Sequence, residues 1–350
     1  MDSKLSGSDK ALLSFFHLLE YLKHLPRTGW LRMLNHPESV GSHSFRVAIM
    51  SLFAPHGLDR SKCMLIGLCH DLAESVVGDI PTYAGISKEQ KHKMEASAFQ
   101  YIKALLQATD EALATEVVDA WEDYEYGKSA EGRWVKEVDK LDCIMQAQEY
   151  EGRTEGENVF DEFQGLSSKI SSAKGKQWLE MLQRERLVQN QKRRQNIIFI
   201  IGDKIQVKSS YAFLAEKFPF QRISLEDILR EKSVDSTYHL SQYLRDCLAQ
   251  DNPVPVQLSV GILEEKLAGM GEEWCLIEGF PEQLLWLPTR TKFPNYTLYL
   301  KSSENSSQQV WLGPDLELNQ DYIKQVFCEP QLETNLMSAV GDILDHAKGL

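Results

Sequence analysis

The stretch Cys63 to Ala73, CMLIGLCHDLA, decides how this chain is read. It is apolar on nearly every side, the pattern of a helix buried on several faces. An imidazole and a carboxylate, His70 and Asp71, stand near its end. Placing them in such surroundings costs on the order of several kcal/mol unless something pairs with them. Two readings meet that demand. In one, His70 and Asp71 cap or bond the neighbouring backbone. In the other they hold a metal ion together with His43 and Asp139, each on another segment that reads as helix. Two imidazoles and two carboxylates suit one borderline divalent metal (Mn, Fe, Co, Ni or Zn) and leave coordination positions open for water. A metal with an open position makes hydroxide near neutral pH and polarises a phosphoryl oxygen. Hydrolysis of a phosphate ester is therefore the leading chemical expectation, and from the pattern alone both readings stand.

The rest of the composition sets bounds. A chain of 350 residues suits two domains. The formal net charge of −13 speaks against a general nucleic-acid binder, because phosphate backbones demand clustered Lys and Arg. A small anionic substrate remains compatible, since a bound metal and a few local cations outweigh the overall field. The six cysteines (Cys63, Cys69, Cys143, Cys247, Cys275 and Cys328) form no Cys-x-x-Cys pair, and most sit in apolar runs where free Cys acts as a small hydrophobe. Met1 to Lys10 is polar and opens no signal peptide, and no apolar stretch is long enough for a bilayer. A reduced compartment, the cytoplasm or the nucleus, is expected, with no membrane partner.

Helical periodicity predicts helices over Ala11–Leu25, Ser42–Phe53, Ser61–Val76, Ser87–Gln107, Asp110–Tyr126, Ala130–Tyr150 and Ala173–Gln191. Gly78-Asp79-Ile80-Pro81 reads as a loop. At Gln189 to Gln195 (QNQKRRQ) the composition turns polar and basic, which places a linker over residues 189–195 between domains 1–188 and 196–350. Asn196 to Ile201 (NIIFII) then reads as a buried parallel strand. Further strands are predicted at Gln221–Ser224, Trp274–Glu278, Tyr296–Leu300 and Tyr322–Phe327. Helices fit at Ser209–Lys217, Leu225–Lys232, Ser236–Gln250, Ser259–Gly269 and Leu332–Lys348. The alternation predicts a doubly wound α/β domain with a parallel sheet.

Several motifs in order carry a family resemblance across about the first half. They are RTGW (Arg27–Trp30), PESVGSHSFRVA (Pro37–Ala48), CHDLAESVVGDIP (Cys69–Pro81), ISKEQKHKME (Ile86–Glu95), WEDYE (Trp121–Glu125) and VKEVDKLD (Val135–Asp142). This half resembles the HD-domain family, an all-α helical bundle, and within it the metal-dependent 5′-deoxynucleotidases. The resemblance implies that His43, His70, Asp71 and Asp139 hold the metal. Helical periodicity by itself allows either Asp139 or Asp142; the family motif points to Asp139, with Asp142 in support. The resemblance also marks Glu74 and Asp79 as the acid–base pair, Glu74 for the attacking water and Asp79 for the sugar side, the two roles being exchangeable. Trp30 and Arg32 match the segment that packs near the nucleotide, where an indole can exclude a 2′-hydroxyl and an arginine can fork onto phosphate. For Trp30 a core or hinge role stands beside that one. Ser42 replaces the family's acidic residue before the histidine, so the choice between deoxyribose and ribose is left open. The implied partner is a nucleoside monophosphate, and the family's habit of pairing makes a homodimer compatible.

The second half resembles the nucleoside monophosphate kinases of the adenylate kinase group, a P-loop fold. IIFIIG followed by KSS, ISLEDILRE (Ile223–Glu231), NPVP (Asn252–Pro255) and WCLIEGFPE (Trp274–Glu282) carry it. Its departures fall on chemistry. Gly202 to Ser209 reads GDKIQVKS, with Val207 where a phosphate loop needs its second glycine and Asp203 adding negative charge. Glu282 stands where the family has an arginine, and the lid is replaced by SSENSSQQ (Ser302–Gln309). Lys208 and Arg230 remain, but one or two cations do not stabilise a transferring phosphoryl group. This half is expected to be catalytically inactive. The rival expectations are a non-catalytic nucleotide-binding or regulatory protein, and an active nucleoside monophosphate kinase.

Overall fold

The computed structural model describes residues 5–81, 83–153, 160–191, 196–270, 273–279, 295–301, 323–328 and 331–348. Two compact units form, Met1–Glu151 with Gly156–Val188, and Gln189–Leu350 with Gly152–Glu155. Among the described residues no helix is long and apolar enough to cross a membrane.

The first unit is helical. Its helices are α1 (Gly7–His24), α2 (Val40–Ser51), α3 (Arg60–Cys69), α4 (Glu74–Val77), α5 (Lys88–Gln107), α6 (Glu111–Tyr126), α7 (Ala130–Arg153), α8 (Asp161–Gln164) and α9 (Ala173–Gln191). Local chemistry starts and stops them. Ser6 with Asp9, and Ser87 with Gln90, form reciprocal capping boxes at α1 and α5. Ser39, Asp59 and Asp110 accept first-turn amides of α2, α3 and α6. Gly127, at φ 58°, ends α6 in the left-handed conformation that glycine adopts without penalty. The apolar faces meet in one core that includes Val47, Cys63, Ile66, Phe99, Ile102, Val135 and Val138. Within it α2 and α3 touch backbone to backbone: a Cβ on Gly67 would lie 2.7 Å from the Ala48 Cα. That close approach sets His43 of α2 beside the end of α3.

One predicted helix is broken in two. The sequence reads as continuous helix over 61–76, but α3 ends at Cys69 and α4 starts at Glu74. Between them the amides of Leu72, Glu74 and Ser75 bond the carbonyls of Cys69, Asp71 and Leu72, three residues back. The turn tightens to about three residues, so side chains at i and i+3 eclipse. Asp71 and Glu74 thus share a side through this turn rather than through α-helical spacing.

The second unit carries a five-stranded parallel sheet in the order β2-β3-β1-β4-β5. The strands are β1 (Ile197–Ile201), β2 (Gln221–Ser224), β3 (Cys275–Glu278), β4 (Asn295–Lys301) and β5 (Ile323–Phe327). Every residue of β1 is buried, as a central strand covered on both faces requires. Alternate residues divide between two cores. Ile197, Phe199 and Ile201 pack with α11 (Leu225–Val234), α12 (Ser241–Ala249) and α13 (Val256–Ala268). Ile198 and Ile200 pack with α10 (Lys204–Lys217) and α14 (Leu332–Lys348).

Two starts differ from expectation. Helix α10 begins at Lys204 rather than Ser209, because Asp203 caps it by accepting the amides of Ile205 and Gln206. Helix α12 begins at Ser241 rather than Ser236. There Asp235 takes the amide and hydroxyl of Thr237 at 2.9 and 2.7 Å, a local turn that competes with helix. The Phe280–Glu282 and Ser302–Gln309 motif positions lie outside the described residues.

Candidate metal centre

His43, His70 and Asp71 present their ligand atoms together, and Asp139 reaches the group beside His43. His43 comes from α2, His70 ends α3, Asp71 sits in the tight turn and Asp139 is on α7. The Nε2 atoms of His43 and His70 are 3.3 Å apart. Asp71 Oδ2 lies 3.6 Å from His43 Nε2 and 3.3 Å from His70 Nε2. Asp139 Oδ1 lies 3.4 Å from His43 Nε2. Asp142 is on the far side of the His43 ring, 2.6 Å from Nδ1.

Each imidazole is held by its other nitrogen. His70 Nδ1 is 2.8 Å from the Gly67 carbonyl, which only an N–H can satisfy. His43 Nδ1 faces the Asp142 carboxylate. Both Nε2 atoms therefore turn lone pairs toward the same point, the arrangement usual for metal-bound histidine. Two such lone pairs, ringed by carboxylate oxygens, call for a cation between them, and the donor set fits a divalent metal. The same pull acts on a proton. Burial and Arg27 lower His43, but the bonds from Asp139 and Asp142 outweigh them and raise it to about 9.

The carboxylates are individually neutralised. Asp71 takes Arg27 Nη1 at 3.0 Å. Asp139 Oδ2 accepts Tyr124 Oη and Lys140 Nζ, both at 2.6 Å, which leaves Oδ1 for the His43 side. Asp142 accepts Arg46 Nε. Burial pushes Asp139 up, yet Lys140 and His43 hold it well below the ordinary range. Glu74 differs. It is 4% exposed, and its Oε2 has no hydrogen-bond partner among the described residues. Burial, then Asp71 and Asp79, push its carboxyl well above the usual value.

The cluster opens onto a cleft of about 660 Å³. Glu74 and Asp79 line it, as do Trp30 and Arg32. Asp79 Oδ2 accepts the Thr28 amide at 2.7 Å, and its carbonyl accepts the Thr28 hydroxyl at 2.9 Å. The loop after α4 is thereby tied to the Arg27–Trp30 segment. Trp30 is only 2% exposed and stacks on Phe163 at 4.0 Å between ring centroids, with Tyr150 and Phe160 edge-on. It is a wall of the cleft anchored in an aromatic cluster, so the core role and the cleft position coincide. Arg32 is exposed, 3.8 Å from Glu162 and over the Tyr83 ring.

Sequence reasoning passed over Arg27, Tyr124 and Lys140. All three lie inside the motifs already quoted, and Lys140 directly follows Asp139. Arg27 and Tyr124 meet partners 44 and 15 residues away, which no local pattern reveals, and a lysine beside an aspartate is unremarkable until the fold turns both toward the cleft.

An HD-domain model matches residues 19–178. The 5'-deoxynucleotidase HDDC2 of Xenopus laevis is 43% identical over 148 residues, covering 42% of this chain and 72% of the relative. The Homo sapiens protein of that name is 42% identical over 144 residues, covering 41% and 69%. The 5'-deoxynucleotidase YBR242W of Saccharomyces cerevisiae is 36% identical over 184 residues, covering 52% and 76%. Identity of this order across more than two thirds of each relative, on the segment that builds the His–Asp cluster, means that this chain belongs over its N-terminal half to the HD-domain 5'-deoxynucleotidase family, whose members are phosphoric monoester hydrolases.

Proposed function

We propose that the helical unit hydrolyses nucleoside 5′-monophosphates, deoxynucleotides among them, to nucleoside and phosphate. The observation that carries this reading is the gathering of His43, His70 and Asp71, with Asp139 beside His43, at a cleft edged by cations. These four side chains would hold a divalent metal, which when bound would supply Lewis acidity to a phosphate ester. Arg27 and Lys140, paired with Asp71 and Asp139, face the same cleft and neutralise charge on the equatorial phosphoryl oxygens. Glu74, with an unpartnered oxygen beside the cluster, orients the water and takes its proton. The water oxygen bonds to phosphorus, the P–O5′ bond breaks, and a proton passes to the departing 5′ oxygen. Asp79 lies at the sugar side. Trp30 forms a packed wall for the sugar and Arg32 an exposed rim cation.

The test is phosphate release from a panel of deoxy- and ribonucleoside monophosphates, with Mn or Co and with chelator, beside His70→Ala. Metal-dependent release that the substitution abolishes supports the reading and ranks sugars and bases. Absence of release with every metal and monophosphate transfers the assignment to a binding protein.

For the second unit we infer a kinase-like fold without kinase chemistry. The parallel order β2-β3-β1-β4-β5 supports the first part. The start of α10 supports the second: the amides that would meet a phosphate are taken by Asp203 Oδ1, at 3.0 Å for Ile205 and 3.4 Å for Gln206. Val207 is buried in the core and the Ser209 hydroxyl bonds the Gln206 carbonyl. A coupled ATP-consumption assay with nucleoside monophosphates is expected to read background. Turnover lost on Lys208→Ala would overturn this reading.

A further inference from the structure

Behind His43, away from the cleft, lies a second polar cluster that takes no direct part in the proposed hydrolysis. The side chains of His43 and Asp142 are both fully buried, with Nδ1 and Oδ2 2.6 Å apart. The other Asp142 oxygen is gripped by Arg46 Nε. The same guanidinium reaches Gln146 Oε1 at 2.7 Å and Glu149 Oε2 at 2.9 Å. Asp142, Gln146 and Glu149 fall on successive turns of one face of α7, and His43 and Arg46 are one turn apart on α2. One planar fork therefore fastens α2 to α7 at the height of the metal centre and aims one carboxylate at one imidazole nitrogen.

A buried imidazole that presents the wrong nitrogen cannot bind a metal, and its tautomer is set by what the other nitrogen meets. We infer that Asp142 and Arg46 are positioning residues for metal binding: Asp142 accepts the Nδ1 proton of His43 so that the Nε2 lone pair faces the cleft, and Arg46 fixes that carboxylate. The inference rests on His43 being a metal ligand. Lysine cannot replace the fork, because a single ammonium reaches these oxygens as a point charge without fixed direction.

The experiment uses the full chain, Asp142→Asn and Arg46→Lys, with His43→Ala as control. Mn affinity is measured by competition with a chelating dye. The His43 ring is followed by nitrogen-15 NMR in the metal-free protein well above pH 9, where the imidazole is neutral and its tautomer is readable. The expected result is an Mn affinity about 10–100-fold weaker in Asp142→Asn, with activity recovering toward wild type at saturating Mn. The protonated Nδ1 signal of His43 should be lost or averaged with Nε2. Arg46→Lys should give a smaller shift in the same direction, and it tests the relay if Asp142→Asn fails to fold. Wild-type Mn affinity together with an unchanged His43 spectrum in both variants overturns the inference. If His43→Ala also binds Mn as wild type does, the ligand assignment of His43 is what has failed, and the two failures are thus told apart.

Discussion

At the level of single residues, the site separates carboxylates by what surrounds them. Asp71, Asp139 and Asp142 each meet a cation, whereas Glu74 keeps an oxygen without a hydrogen-bond partner among the described residues. Glu74→Gln keeps the shape and removes the base. Its kcat is expected to fall about 10²–10⁴-fold while Mn affinity stays near wild type. Collapse of Mn affinity instead would make Glu74 a ligand. Lys140→Ala removes a donor and a positive charge beside Asp139. The expected outcome is a drop in kcat/KM of about tenfold or more, read by steady-state phosphate release. The His–Asp residues stand out in the sequence through the family motifs around them; their residue types alone leave a capping role open. Arg27, Tyr124 and Lys140 do not stand out, since isolated charges and phenols occur on any helix and only the fold shows where they point. Asp139 and Asp142 illustrate the limit: periodicity allows either as ligand, and only the geometry puts Asp139 on the Nε2 side of His43 and Asp142 on the Nδ1 side.

At the level of elements, apolar period and capping residues make most helices of the first unit readable. Two features escape that reading: the short α8, and the break after Cys69, where the sequence offers no glycine or proline. The three-residue turn there is visible only in its backbone bonds, Leu72 to Cys69, Glu74 to Asp71 and Ser75 to Leu72. Helix α9 shows a different device. Glu137 of α7, 8% exposed, accepts the amides of Ser171 and Ser172 at 2.9 and 3.0 Å, and their hydroxyls at 2.5 Å each. Ser172 in turn caps α9 through the Gly175 amide. Burial pushes Glu137 up, but the four donors win and its carboxyl sits below the ordinary value. A depressed carboxyl contributes stability that is present above its unfolded pKa and fades as pH falls through the folded one. Glu137→Ala is expected to cost about 1–3 kcal/mol near neutral pH, from loss of hydrogen bonds to a charged acceptor whose serine donors are otherwise open to water. The penalty should shrink as pH drops below about 4, the ordinary carboxylate range. Urea unfolding of both proteins across pH checks this, and a pH-independent difference would count against the charge.

At the scale of the whole molecule, the two units are built on different periods. The helical unit has its own core and contains every atom of the proposed site. The sheet unit has two cores, one on each face of β1. A protein of residues 1–188 is therefore expected to fold and release phosphate with kcat within a few-fold of the full chain. Loss of metal-dependent activity in a folded truncation would give the second unit a catalytic role. The parallel sheet is legible in the alternation of strand and helix candidates, because parallel neighbours need a crossover between them. The early start of α10 is hidden, because Gly202 to Ser209 resembles a phosphate loop and the decisive fact is where the Asp203 side chain turns. Overall charge is a poor guide to the site: a chain of net charge −13 places Arg27, Lys91 and Lys140 around one cleft.

Gly67 has a consequence for reading inherited variation. Exchange of glycine for alanine within a helix ordinarily ranks among the mildest substitutions and even favours the helix. Here the added methyl would meet the Ala48 backbone at 2.7 Å, and the Gly67 carbonyl is the group that fixes His70. The relief open to the pair is for α2 and α3 to part, carrying His43 away from His70. Gly67→Ala is expected to lower stability and, with it, Mn retention and phosphate release, because the atom it meets is backbone and cannot turn aside. A score built on residue similarity would pass it as benign, and a metal-binding assay on the purified variant would expose it.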